Sequence, residues 1–97
     1  MTQVSLTEEL RKAAERCVWF EPPEQAVEDL PRLAAHILTY GSVEDVAALL
    51  KQLREEELRS LLDSAPPGIF DERSWAYWNL MVGRYETPPM PTRKFGP

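Results

Sequence analysis

The chain of 97 residues has one cysteine, one histidine and four glycines, and each scarcity closes a class of function. Cys17 alone makes no internal disulfide, and with His36 as the sole imidazole there are too few soft ligands for a structural zinc site. The glycines stand singly, as helix stops or turns, so there is no glycine-rich phosphate loop and no strand leading into one. Eleven basic residues face sixteen acidic ones, and a net charge of −5 argues against a surface that neutralises phosphates, so nucleic acid is not the principal partner. No apolar run approaches the roughly 20 residues of a membrane span, and no charged start leads into an apolar stretch as in a signal peptide. A cytoplasmic protein without membrane contact is expected. Isoleucine and threonine are sparse beside Ala, Leu and Glu, and no window alternates as a strand does, which excludes a sheet.

What remains is 43% apolar and 28% charged residues at a length that allows one domain. The pattern predicts an all-α fold: a compact bundle of five or six short helices over residues 1–85, followed by an extended proline-rich tail over 86–97. Ser5 to Glu8 has the spacing of a capping box and Thr7 offers a second cap; the helix that follows carries Leu6, Leu10, Ala13, Ala14, Cys17 and Val18 on one face and ends near Trp19. Pro23 opens a short helical turn. Asp29 caps a helix from about Leu30 to Tyr40 with Pro31 in its first turn, and Tyr40-Gly41 fits a left-handed C-terminal cap. Ser42 starts the next helix at once, with Val43, Val46, Ala47, Leu49, Leu50 and Leu53 as its apolar set, and the stripe breaks near Gln52 to Glu55. Pro66-Pro67-Gly68 stops the following helix, Ile69 and Phe70 form a staple, and Asp71 caps a last helix from Glu72 to Val82, closed by Gly83. The tail, with Pro88, Pro89, Pro91 and Pro97, is extended.

Residues 1–65 hold seven bases and thirteen acids, net −6, whereas 66–97 hold four and three, net +1. The acidity belongs to the helical body. Within it Glu55-Glu56-Glu57 reads as first-turn carboxylates on the helix dipole, since consecutive helical side chains point about 100° apart and do not converge on one ion. Cys17 falls on a buried face, where a thiol is inert packing. His36 lies at the edge of an apolar stripe with no local nucleophile signature beside it, so it reads as a structural or boundary histidine.

The last helix is the strongest local signal. Helical spacing puts Trp75, Trp78 and Val82 on one face and Tyr77 on another with Leu80 and Met81 near it, so this helix either forms the centre of the core or offers a face to a partner. The tail allows two roles as well. Pro88-Pro89-Met90-Pro91 is a preformed extended backbone, and Met90, Arg93, Lys94 and Phe95 can dock on a partner, or the basic tail can fold back on its own acidic body.

The succession Tyr40-Gly41-Ser42-Val43-Glu44-Asp45, Ala65-Pro66-Pro67-Gly68-Ile69-Phe70-Asp71, Ser74-Trp75-Ala76-Tyr77-Trp78-Asn79 and Pro88-Pro89-Met90-Pro91-Thr92-Arg93 resembles small helical antitoxin-like proteins encoded beside AbiEii-type nucleotidyltransferase toxins. It spans about residues 20–95, and none of its motifs is diagnostic of a reaction. The resemblance implies a protein that binds and neutralises a toxin enzyme by protein–protein contact. The chain lacks room for the winged-helix DNA-binding domain of larger antitoxins, so DNA-bound autoregulation is not part of that expectation. The expected function is therefore a non-enzymatic binding protein, without cofactor or metal, whose contact residues are Trp75, Tyr77, Trp78, Met90, Arg93 and Phe95. The alternative is a self-associating adaptor or structural domain that closes a symmetric homodimer through its exposed aromatics.

Overall fold

A computed structural model describes residues 4–91. Among them are six helices and no strand: α1 (Glu8–Cys17), α2 (Pro23–Ala26), α3 (Leu30–Tyr40), α4 (Val43–Leu50), α5 (Glu55–Asp63) and α6 (Glu72–Met81). Local chemistry accounts for where each begins. Thr7 is the cap of α1, its hydroxyl accepting from the Leu10 N–H at 3.1 Å. The competing cap does not form, because the Ser5 N–H donates to Gln52 Oε1 and the Gln52 amide donates back to the Ser5 carbonyl, latching the leader to the α4–α5 connection. Asp29 and Asp71 accept from the N–H groups of Arg32 and Ser74. The Ser42 hydroxyl accepts from the Asp45 N–H while the Asp45 carboxylate accepts from the Ser42 N–H at 3.1 Å, a complete capping box. At α5 the Glu57 carboxylate accepts from the Arg54 N–H, and Glu55, Glu56 and Glu57 fill the first turn as expected.

Two helix ends correct the sequence reading. α1 stops at Cys17 rather than near Trp19, with Val18 as its buried C-cap, and Trp19 turns outward. Gly41 is not left-handed: its φ of −74° and ψ of 156° are extended backbone open to any residue. Space is what excludes a side chain there. A Cβ on Gly41 would sit 2.6 Å from the Ile37 carbonyl oxygen and 3.0 Å from the Asp45 Cβ, because the chain leaves α3 and enters α4 across only Gly41 and Ser42. The left-handed stop occurs at Gly83, with φ +86°, where the Arg84 N–H returns to the Asn79 carbonyl and the Gly83 N–H to that of Leu80.

The centre of the core is α3, which packs against all five other helices; α6 lies at one edge, not at the middle. Leu10 and Val18 from the α1 segment, Leu33 and Ile37 of α3, Leu49 of α4, Leu62 of α5 and Val82 after α6 are fully buried around it. α4 packs on α1 and α3, and α6 on α3. No helix among the described residues is long and apolar enough to cross a membrane.

Candidate functional site

On α6 the 100° step per residue separates two faces. Trp75 and Trp78 point inward and are buried, whereas Tyr77, Leu80 and Met81 are each about half exposed (53%, 51% and 54%). Both indoles spend their N–H groups inside the chain. Trp78 Nε1 donates to the Leu38 carbonyl at 2.9 Å. That carbonyl belongs to the last turn of α3, and its helical partner, the Ser42 N–H, is already engaged by Asp45. Trp75 Nε1 donates to the Pro88 carbonyl at 2.7 Å, and the Phe70 ring meets Trp75 edge-on at 5.3 Å, the staple read from Ile69-Phe70. Asn79, also buried, donates to the Trp75 carbonyl and accepts from Arg84, which bridges to Asp63.

The outward side of α6 faces α4 across an open groove of about 600 Å³. Its floor is Leu38 and Trp78. One wall is the stripe Val43, Val46, Ala47 and Leu50, at i, i+3, i+4 and i+7 of α4; the other carries Tyr77 and Met81, with Arg73 and Ser74 towards the start of α6. The inner side of α4 is a separate set, Asp45, Ala48 and Leu49. Val43 is 83% exposed and Ala47 is exposed, whereas Val46 and Leu50 are half-buried and pack against the core, so the wall rises from the core edge to the surface. Arg73 is the sole charged residue in the lining and makes no ion pair among the described residues.

The sequence-derived contact residues divide by position. Tyr77 lies on the groove, with its ring edge-on to Trp78 at 4.9 Å. Trp78 lends one edge to the floor but is otherwise core, and Trp75 is core throughout. Met90 packs on the helical body, in a shallow recess with Glu72, Arg73, Trp75 and Ala76. Up to residue 91 the tail thus follows the folded-back alternative. Arg93 and Phe95 lie outside the described residues.

Other reactive groups are held in structural roles. Asp45 is buried, and the Arg16 guanidinium beside it, then the Ser42 N–H, hold its carboxyl below the usual carboxylate range. Burial, with the Asp45 charge 4.0 Å from its sulfur, pushes the Cys17 thiol up to about 11. His36 sits between the Phe20 and Tyr40 rings, its pKa lowered by burial and by Arg32. Trp19, Phe20 and Tyr40 are exposed and His36 is half-buried between the last two, a surface row that sequence reasoning missed, although the i, i+4 spacing of His36 and Tyr40 was a signal for part of it. No group of three His, Cys, Asp or Glu among the described residues has metal-binding geometry. No protein-family model matches the chain, and neither a curated protein nor a solved structure is significantly similar to it.

Proposed function

We propose that this chain is a binding protein of the antitoxin type, which holds a partner toxin enzyme of the nucleotidyltransferase class by protein–protein contact. The observation that carries the reading is the open apolar groove between α4 and α6, with Tyr77 and Met81 on one wall and the second apolar stripe of α4 on the other. Exposed apolar surface of this kind is what a partner covers, and aromatic anchors supply most of the energy of such contacts. Trp75 and Trp78 act from behind, fixing α6 to α3 and to the tail. The net charge of −5 favours a basic partner, such as an enzyme whose own substrate is anionic.

The test is a tagged pull-down from native lysate at low salt, with wild type beside Tyr77→Ala and Val46→Glu. A nucleotidyltransferase retained in stoichiometric amount by wild type, lost with both variants and weakened by rising salt, is the expected result. A wild-type chain that captures no enzyme and sediments as a dimer dissociated by Val46→Glu would replace this reading with the self-associating domain.

A further inference from the structure

Resting on that reading of the groove, we infer that its occupant is an amphipathic α-helix of a basic partner protein, with an acidic side chain placed opposite Arg73. Hydrogen-bond accounting selects the helix. Beyond their first turns both walls are helices whose backbone groups are satisfied internally, and the two polar groups nearest the floor are spent, the Trp78 N–H on the Leu38 carbonyl and the Ser42 N–H on Asp45. An extended segment laid in the groove would bury most of its backbone N–H and C=O groups against apolar side chains, with only the hydroxyls of Ser42, Ser74 and Tyr77 in the lining to receive them, whereas a helix brings its own partners. Shape agrees: α4 and α6 both rest on α3, and the space between them is lined at helical spacing on each side, as for the next helix of a bundle.

Charge selects the face of that helix. Arg73 is the one cation in an apolar lining on a protein of net charge −5, and it makes no ion pair among the described residues, the Asp71 carboxylate feeling its charge only through space. The long-range field therefore favours a basic protein while the groove itself favours a local acid, two demands a second copy of this acidic chain meets less well than a basic partner does.

The experiment uses two labelled, stapled helical peptides of about 15 residues, with leucines at i, i+3, i+4 and i+7, identical except for Glu or Lys at the end facing Arg73. Their affinities for wild type, Arg73→Glu and the off-groove control Arg54→Glu are read by fluorescence anisotropy, alongside sedimentation equilibrium. Wild type and Arg54→Glu should prefer the Glu peptide by about fivefold, the scale of an exposed ion pair, and Arg73→Glu should reverse the preference. The protein's own net charge works against this outcome, which makes it stringent. Equal binding of both peptides to all three proteins would overturn the charge selection and leave the groove as a partner surface. No binding by a chain that is dimeric would assign the groove to a second copy, and no binding by a monomeric chain would overturn the groove reading itself.

Discussion

Removal of the Asp45 carboxylate, one of two buried polar side chains among the described residues, should cost the fold measurable stability. Its side chain is 3% exposed, yet it closes the Ser42 capping box at the start of α4 and receives the guanidinium of Arg16 from α1, so one carboxylate joins the helix start to the neighbouring helix. In Asp45→Ala the Ser42 hydroxyl keeps its bond to the N–H of residue 45, so the N-cap itself survives. The Ser42 N–H, left without its acceptor, costs about 1–3 kcal/mol. Arg16 adds little, because its side chain is 55% exposed and water re-solvates it. The expected total, about 1–3 kcal/mol, is a substantial part of the roughly 5–15 kcal/mol that stabilises an ordinary domain.

The pH dependence separates this account from a simple packing loss. The Arg16 hydrogen bond, with help from Ser42, lowers the Asp45 pKa in the folded state. A carboxyl whose folded pKa lies below its unfolded value of about 3.9 contributes stability that is present above that value and lost as pH falls through the folded one. Urea unfolding followed by tryptophan fluorescence should therefore show a constant gap between wild type and Asp45→Ala from pH 7 to about 5, narrowing below about 4. Asp45→Asn, which keeps an acceptor for Ser42 and has no charge to lose, should narrow the gap at pH 7 and vary less with pH. A gap under about 0.5 kcal/mol at pH 7, or one unchanged in strong acid, would refute the reasoning.

Trp78→Ala should destabilise the fold by about 3–5 kcal/mol, through the cavity and the orphaned Leu38 carbonyl. Deletion of residues 86–97 should cost less, since it removes Met90 packing and the Pro88 acceptor of Trp75; the reverse order in thermal melts would mean that the tail, not α6, holds the core. Gly41→Ala should cost about 1–3 kcal/mol by overpacking against Ile37, and an unchanged melting temperature would show that the α3–α4 corner relaxes without penalty. Cys17, with its thiol pushed up to about 11, should alkylate at pH 8 on the order of a hundredfold slower than a free thiol of pKa about 8.5. Reaction at the free-thiol rate would mean that the α1–α4 contact opens readily.

Helix starts were legible because a cap is a local event: Asp29, Ser42 and Asp71 each bond within three residues, and spacing alone reveals them. The two faces of α6 were legible for the same reason, since the 100° step separates Trp75 and Trp78 from Tyr77 without knowledge of the rest of the fold. Gly41 shows the opposite case. A glycine after a helix reads as a left-handed stop, but its cause lies in the Ile37 carbonyl and Asp45 Cβ, which meet only once α4 has folded back. Up to residue 91 the tail's lack of helix and strand was legible and its destination was not, because charge complementarity to the acidic body and preformed extension for a partner predict the same composition.

The groove is the instructive failure. Val43, Val46, Ala47, Leu49 and Leu50 read as one apolar set, and a single buried stripe was the natural inference. An eight-residue helix at the edge of a small core has only one face to bury, and the structure gives that face to Asp45, Ala48 and Leu49. Val43 and Ala47 are left exposed and Val46 and Leu50 are only half-buried at the core edge, and together they form a second stripe along the groove. Excess apolar positions on a short surface helix therefore carried the signal, and α6 repeats it with Tyr77, Leu80 and Met81 outside its buried tryptophans. One such surplus is tolerable surface; two on helices seated on the same α3, with Tyr77 and Met81 across about 600 Å³ from the α4 stripe, are what the proposed partner contact rests on.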